Sequence, residues 1–212
     1  MGALADGGIS YLAGFAKGLT PDPSLWVDQW ADEYMRIPRG NGAEPGKYRT
    51  DRTPFAREPM RCLSPEHPAK RVVTKVASQL LKTQSGLNWL CASIHMAPGN
   101  MLVLEPSLGL AKRVSGRFAK TIDEVPELRE RVASARSRDA RNTIDTKEFD
   151  GGTLYITTAG SAANLAEVPA RYIYGDEVDR WEASVDKEGD PVELAEARGS
   201  TFGRNAKFYY SS

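Results

Sequence analysis

The rhythm of apolar and polar positions changes near residue 70. Residues 1–24 are rich in Gly and Ala and close on Thr20-Pro21-Asp22-Pro23-Ser24, which reads as a loosely held leader and a turn. Trp26, Trp30 and Tyr34 recur at i, i+4 and i+8. That spacing predicts a helix through Tyr34 with Ser24 as its N-cap and the aromatic rings in the core. Residues 36–69 hold six prolines and three glycines and show no period, so they read as a wrapping segment with one short helix near 54–63.

From residue 71 short β-branched or apolar runs alternate with helical patterns. Arg71–Val76 and Met101–Leu104 read as buried strands, the second stopped by Pro106. Thr83–Met96 and Ser107–Lys120 read as helices, with Leu110, Val114 and Phe118 on the inner face of the latter, and Ile122–Val132 as another. Asp150-Gly151-Gly152 between Lys147–Phe149 and Thr153–Thr157 signals a hairpin. Arg171–Gly175 is a strand, Val192–Gly199 a short helix and Ala206–Tyr210 a last strand. The alternation predicts an α/β fold with a mostly parallel sheet and helices on both faces. Ligands of such sheets sit beyond the carboxyl ends of the strands.

Two strand ends carry chemistry. The strand at 71–76 runs through Ala77, Ser78, Gln79, Leu80 and Leu81 into Lys82-Thr83 and a helix. Strand, loop, Lys-[Ser/Thr], helix is the arrangement that cradles phosphate: free N–H groups of the helix start, a lysine for the β/γ-phosphates and a hydroxyl for Mg²⁺. Val76 and Leu81 stand where the phosphate-loop pattern has glycines. The strand at 171–175 ends in Asp176-Glu177. An NTPase needs one acid there for the metal and a second to orient water, and alternation along an extended strand would point the two to opposite sides. The simpler readings are a surface Lys-Thr pair and a solvated strand-ending turn. Asp179-Arg180 follows, as a surface ion pair or the rim of the site.

Composition narrows the classes. Two cysteines and two histidines are too few for a disulfide scaffold or a zinc enzyme, and no apolar run approaches the length of a membrane span. A reducing, intracellular setting is the expectation, and Cys62 and Cys91 read as structural thiols with no nearby histidine or acid. The 28 basic and 28 acidic residues cancel, but not locally. Residues 1–120 hold 16 Lys+Arg against 10 Asp+Glu, and residues 121–212 hold 12 against 18, a split of +6 and −6. Arg129, Arg131, Arg136, Arg138 and Arg141 form a basic cluster that reads either as a solvated loop or as a contact for DNA phosphates.

The order of these segments resembles the large terminase subunits of tailed phages, in their lambda-like branch. The resemblance rests on Trp30–Tyr34, Pro45–Thr50, Thr53–Met60, Ser78–Gln84, Asp176–Arg180 and Glu188–Pro191, and spans about residues 25–212. It implies a RecA-like, additional-strand P-loop NTPase core that hydrolyses ATP with Mg²⁺ and drives double-stranded DNA into a capsid. The implied partners are a portal protein, a small terminase subunit and further copies in a ring, in the host cell cytoplasm and transiently at the capsid portal.

By residue, the resemblance makes Lys82 the phosphate lysine, with Lys75 as a second candidate and Ser78, Gln79, Leu80 and Leu81 as the loop. It makes Thr83 and Asp176 the Mg²⁺ ligands, Glu177 the catalytic carboxylate, Phe55 to Arg57 the adenine contact, and Ser211-Ser212 the start of a coupling motif. Ala56 stands where relatives often have Gln, and Ser78 where some have an arginine, so a transition-state arginine has to come from elsewhere or from a neighbouring subunit. The expected organisation is a flexible leader (1–24), a wrapping segment with adenine-side contacts (25–70) and an ATPase core (71–212) cut off at its C-terminal end, with no nuclease domain. The alternative is a non-catalytic remnant that binds DNA, portal or small subunit.

Overall fold

A computed structural model describes residues 2–19, 21–41, 44–77, 82–132, 143, 145–161 and 168–212. It holds a six-stranded sheet ordered β3-β8-β7-β4-β6-β5. The strands are β3 (Arg71–Thr74), β4 (Met101–Glu105), β5 (Thr146–Phe149), β6 (Gly152–Thr158), β7 (Tyr172–Gly175) and β8 (Lys207–Ser211). Every pairing is parallel except that of β5 with β6, the hairpin at Asp150-Gly151, where Gly151 takes the positive φ of 89° that the turn requires. β1 (Arg36–Ile37) and β2 (Gly46–Lys47) form a separate antiparallel pair inside the wrapping segment.

Strand periodicity divides the interior in two. Met101, Val103, Tyr172, Tyr174 and Tyr209 face one core, while Leu102, Leu104, Ile173, Phe208 and Tyr210 face the other. The first is covered by α2 (Val27–Tyr34), α3 (Arg57–Cys62), α4 (Lys82–Met96), α5 (Leu108–Glu124) and α6 (Pro126–Arg129). The second lies under α7 (Pro191–Ala197) and the short turns around it. α4 is buried on all sides from Ser85 to His95, which explains why its apolar pattern has no clear stripe. α5 is amphipathic, capped by Ser107, whose side chain accepts from the Leu110 N–H.

Several expectations change. The leader forms α1 (Gly2–Leu19), and Ile9, Leu12 and Phe15 on it are exposed. α2 starts at Val27, two residues later than a Ser24 cap requires. Ser64 from the wrapping segment accepts the Val27 N–H at 2.8 Å, the Gln29 side chain accepts the Trp26 N–H at 3.1 Å, and Ser24 reaches Glu66 instead. Trp26 therefore stays outside the core, while Trp30 and Trp89 are fully buried. β3 is an edge strand rather than a buried one, with Val73 65% exposed. The His67 ring nitrogen Nε2 lies 3.9 Å from Cys62 Sγ across the turn after α3, a neighbour that five residues of separation in the sequence concealed.

The wrapping segment is tied to the sheet by a buried lysine. Lys207, at the start of β8, donates to the carbonyls of Cys62, His67 and Ala69 at 3.0, 2.6 and 2.8 Å. Burial pushes its ammonium pKa down to about 8, while the three acceptors favour the charged form. Within the wrapping segment, Trp30 Nε1 donates to His95 Nδ1 of α4 at 2.9 Å, which fixes the neutral form of that buried histidine, and burial lowers its pKa. Lys207→Met keeps the stem and strips three carbonyls of their donor. It is expected to lower the unfolding free energy by about 3 kcal/mol in urea titrations, and a loss under about 0.5 kcal/mol would show that the staple is dispensable.

Candidate functional site

The site lies at the carboxyl ends of β3, β8, β7 and β4, on the face covered by α4. Counting in twos along each strand places Thr74, Tyr209 and Ser211, Tyr174 and Asp176, and Glu105 on that one face. Asp176 is the centre and is 4% exposed. Its Oδ2 accepts from the Thr83 hydroxyl at 2.7 Å and its Oδ1 from the Ser211 hydroxyl at 2.5 Å and the Glu177 N–H at 3.0 Å. Its own N–H donates to Leu104 O at 3.0 Å, and Trp181 Nε1 donates to its carbonyl at 3.1 Å.

Thr83 and Asp176 are 93 residues apart in the chain and meet because α4 starts at Lys82, directly above the end of β7. No acidic residue opposes anion binding in the first turn of α4. Lys82 lines an open cleft together with Phe55, Ala56 and Pro59 from the wrapping segment, Thr74 from β3 and Tyr209 from β8. The cleft combines an apolar wall, half-exposed Phe55 among it, with one cation beside the helix start.

Of the other predicted site residues, Lys75 is exposed and does not line the cleft, and Arg57 turns away to Asp51 (2.6 Å) and Asp28 (3.7 Å). Ser78, Gln79, Leu80 and Leu81 lie outside the described residues, as do Arg136, Arg138 and Arg141 of the basic cluster. Arg131 is engaged by Asp22. Ser212 closes the end of β3 by backbone bonds, its N–H to Thr74 O at 2.9 Å and its carbonyl accepting from Val76 N at 3.0 Å.

Glu177 diverges from Asp176 for a different reason than strand alternation. β7 has already ended at Gly175, and Glu177 sits in a left-handed turn, φ 50° and ψ 45°. That conformation is costly for a residue with a Cβ and concentrates at functional sites. Its Oε2 lies 2.8 Å from Arg180 Nη1, an ion contact whose geometry is not that of a hydrogen bond. Arg180 is 63% exposed there, so the pair is weakly held.

Glu105 belongs to the site although it stands in none of the sequence motifs. It ends β4 beside Asp176, since Leu104 pairs with Gly175, and it is 2% exposed. Its Oε1 has no hydrogen-bond partner among the described residues. Burial first, then the negative neighbours Asp176 and Glu177, push its carboxyl up to about 8, against a smaller opposite pull from Arg117. The signal was an acid closing an apolar strand before Pro106, the same pattern as Asp176 after Gly175.

Thr83 and Asp176 supply hard oxygen donors, and among the described residues no three His, Cys, Asp or Glu side chains converge as a self-sufficient metal cage. A hydroxyl and one carboxylate suit Mg²⁺, which keeps waters and takes its remaining ligands from phosphate. The described helices include none long and apolar enough to cross a membrane.

Comparison with known proteins places residues 42–212 within the model of the phage terminase large subunit gpA ATPase domain. The large terminase subunit of Enterobacteria phage P21 is 27% identical over 200 residues, covering 93% of this chain and 29% of that protein. The crystal structure of the HK97 bacteriophage large terminase superposes with a TM-score of 0.65 at 14% identity, over 90% of this chain and 38% of that one. The chain thus spans about a third of the length of these relatives.

The Glu105 carboxyl keeps its proton in the fold to about pH 8 but ionises near 4.5 when unfolded. The folded state therefore binds more protons in between, and this stabilisation is lost as pH rises from about 4.5 through 8. Thermal melts of the ligand-free protein across that range are expected to show the decline, and Glu105→Gln to flatten it. An equal slope in both proteins would assign the decline to other groups.

Proposed function

The chain belongs to the family of the phage terminase large subunit gpA ATPase domain, and we propose that it binds ATP with Mg²⁺ and hydrolyses it to move double-stranded DNA into a capsid. The observation that carries this reading is the meeting of Thr83, Asp176 and Ser211 at the start of α4, next to a cleft that holds Lys82. The adenine lies against Phe55 in this reading and the phosphates run along Lys82 and the first N–H groups of α4. Thr83 and Asp176 hold Mg²⁺, which when bound supplies charge neutralisation on the phosphate oxygens. Lys82 stabilises charge developing on the γ-phosphate. Glu177 releases Arg180 and orients the attacking water for in-line displacement.

The same reading makes a portal protein and a small terminase subunit partners of the whole protein, and a ring of copies the source of a transition-state arginine in trans. It puts the work in the host cell cytoplasm. Support for DNA as the moved substrate comes from the outer face of α5. Lys112, Arg113 and Lys120 are exposed there without an ion-pair partner among the described residues, and Gly116 between them leaves open space. Such a face suits a phosphate backbone read without regard to sequence. The remnant reading has no comparable observation in its favour.

Glu177→Gln is expected to retain ATP-dependent thermal stabilisation and to lose at least about 100-fold in turnover, the scale of general-base catalysis. Undiminished hydrolysis would remove Glu177 from its role, and no thermal shift of the wild type at millimolar ATP with Mg²⁺ would favour the remnant. Reversal of Lys112, Arg113 and Lys120 to Glu is expected to weaken duplex binding in fluorescence anisotropy. The slope of log affinity against log salt should fall by about 3, close to one per lost phosphate contact. An unchanged slope would take the DNA off this face.

A further inference from the structure

We propose that Tyr174 is a positioning residue for the metal-side carboxylate: its hydroxyl orients Ser211, and Ser211 holds Asp176 so that one carboxylate oxygen is committed to the protein and the other faces Thr83. The inference rests on the reading of Asp176 as the acid of a Mg²⁺-nucleotide site.

The direction of the hydrogen bonds follows from donor counting. Ser211 is fully buried, and its Oγ lies 2.5 Å from Asp176 Oδ1 and 3.3 Å from the Tyr174 hydroxyl. An ionised carboxylate only accepts, so the single Ser211 hydrogen goes to Asp176. The Tyr174 hydroxyl must then be the donor to Ser211 Oγ. Asp176 Oδ1 also accepts the Glu177 N–H, which leaves Oδ2 with Thr83 as its partner among the described residues. The rotamer of Asp176 is therefore set from the Oδ1 side, and Tyr174 sets the serine rotor that does it.

The tyrosine itself has no freedom. Its ring is fully buried and stacks on Tyr209, with centroids 5.2 Å apart and planes 11° from parallel. Against the ring runs the backbone of α4 at Gly86, where an added Cβ would stand 2.5 Å from ring atoms. Phenylalanine would fill this slot equally well, so packing does not account for the hydroxyl. Tyr209 in turn lines the nucleotide cleft and meets the Thr74 hydroxyl at 3.0 Å. The stacked pair thus ties the floor of the cleft to the carboxylate that faces Thr83, and a nucleotide seated on Tyr209 meets an acid already aimed.

The test is a double-mutant cycle of Tyr174→Phe and Ser211→Ala, read as the affinity of a fluorescent ATP analogue titrated with Mg²⁺ and again in EDTA. Each single variant is expected to raise the Mg²⁺ concentration for half-maximal binding about 10-fold, the scale of lost support for a metal ligand, and to leave the affinity in EDTA unchanged. The double variant is expected to be no worse than Ser211→Ala, because the tyrosine acts through the serine. A wild-type Mg²⁺ midpoint in Tyr174→Phe, or a double variant equal to the product of the singles, overturns the proposal while leaving the site reading intact. A wild type whose affinity ignores Mg²⁺ overturns the site reading and the proposal together. If Tyr174→Phe melts too low to assay, Ser211→Ala decides: an unchanged midpoint overturns the relay.

Discussion

The arrangement turns on the buried carboxylate of Asp176. A carboxylate removed from water costs several kcal/mol unless its lone pairs are filled. Here three of about four acceptor positions are taken by Thr83 from α4, Ser211 from β8 and the Glu177 N–H from the turn after β7, each a charge-assisted bond of about 1.5–3 kcal/mol. The backbone of the same residue is pinned to Leu104 of β4 and to the Trp181 indole. Four elements distant in the chain must be in register before that charge is accommodated, so the acid that suits a metal also enforces the geometry of the strands around it.

The surroundings are built to hold that register. Parallel pairing puts Asp176 and Glu105 side by side, an electrostatic conflict that the fold tolerates by keeping Glu105 protonated toward about pH 8. The tyrosines of β7 and β8 fill the space beneath α4, and Gly86 lets the helix come close enough for Thr83 to reach the strand end. Lys207, at the other end of β8, anchors the wrapping segment that brings Phe55 to the cleft. The same strand therefore positions the segment that forms the apolar wall and the serine that holds the carboxylate.

Glu177 shows how a site departs from regular structure. Its left-handed backbone separates its carboxylate from that of Asp176 where a continued strand would have relied on the pleat, and its exposed partner Arg180 is easily exchanged. Local strain thus gives two adjacent acids different surroundings: one buried and hydrogen-bonded, the other at the rim.

By itself the sequence determined the strands and helices whose periodicity is strong, the hairpin at Asp150-Gly151, and the pairing of Lys82-Thr83 with Asp176-Glu177 as ends of elements. Short-range pattern suffices there, because the residues that decide are neighbours. Tertiary structure decided the rest. Ser64 moved the start of α2, since an N–H takes whichever oxygen the fold brings nearest. β3 became an edge, because strand order is not written in the strand itself. Glu105 and Tyr174 acquired their meaning, and Ser211 its hold on Asp176, only when β4, β7 and β8 were laid side by side: a carboxyl, a phenol and a hydroxyl have no shared function until the sheet sets them within hydrogen-bond reach of one charge or within its field.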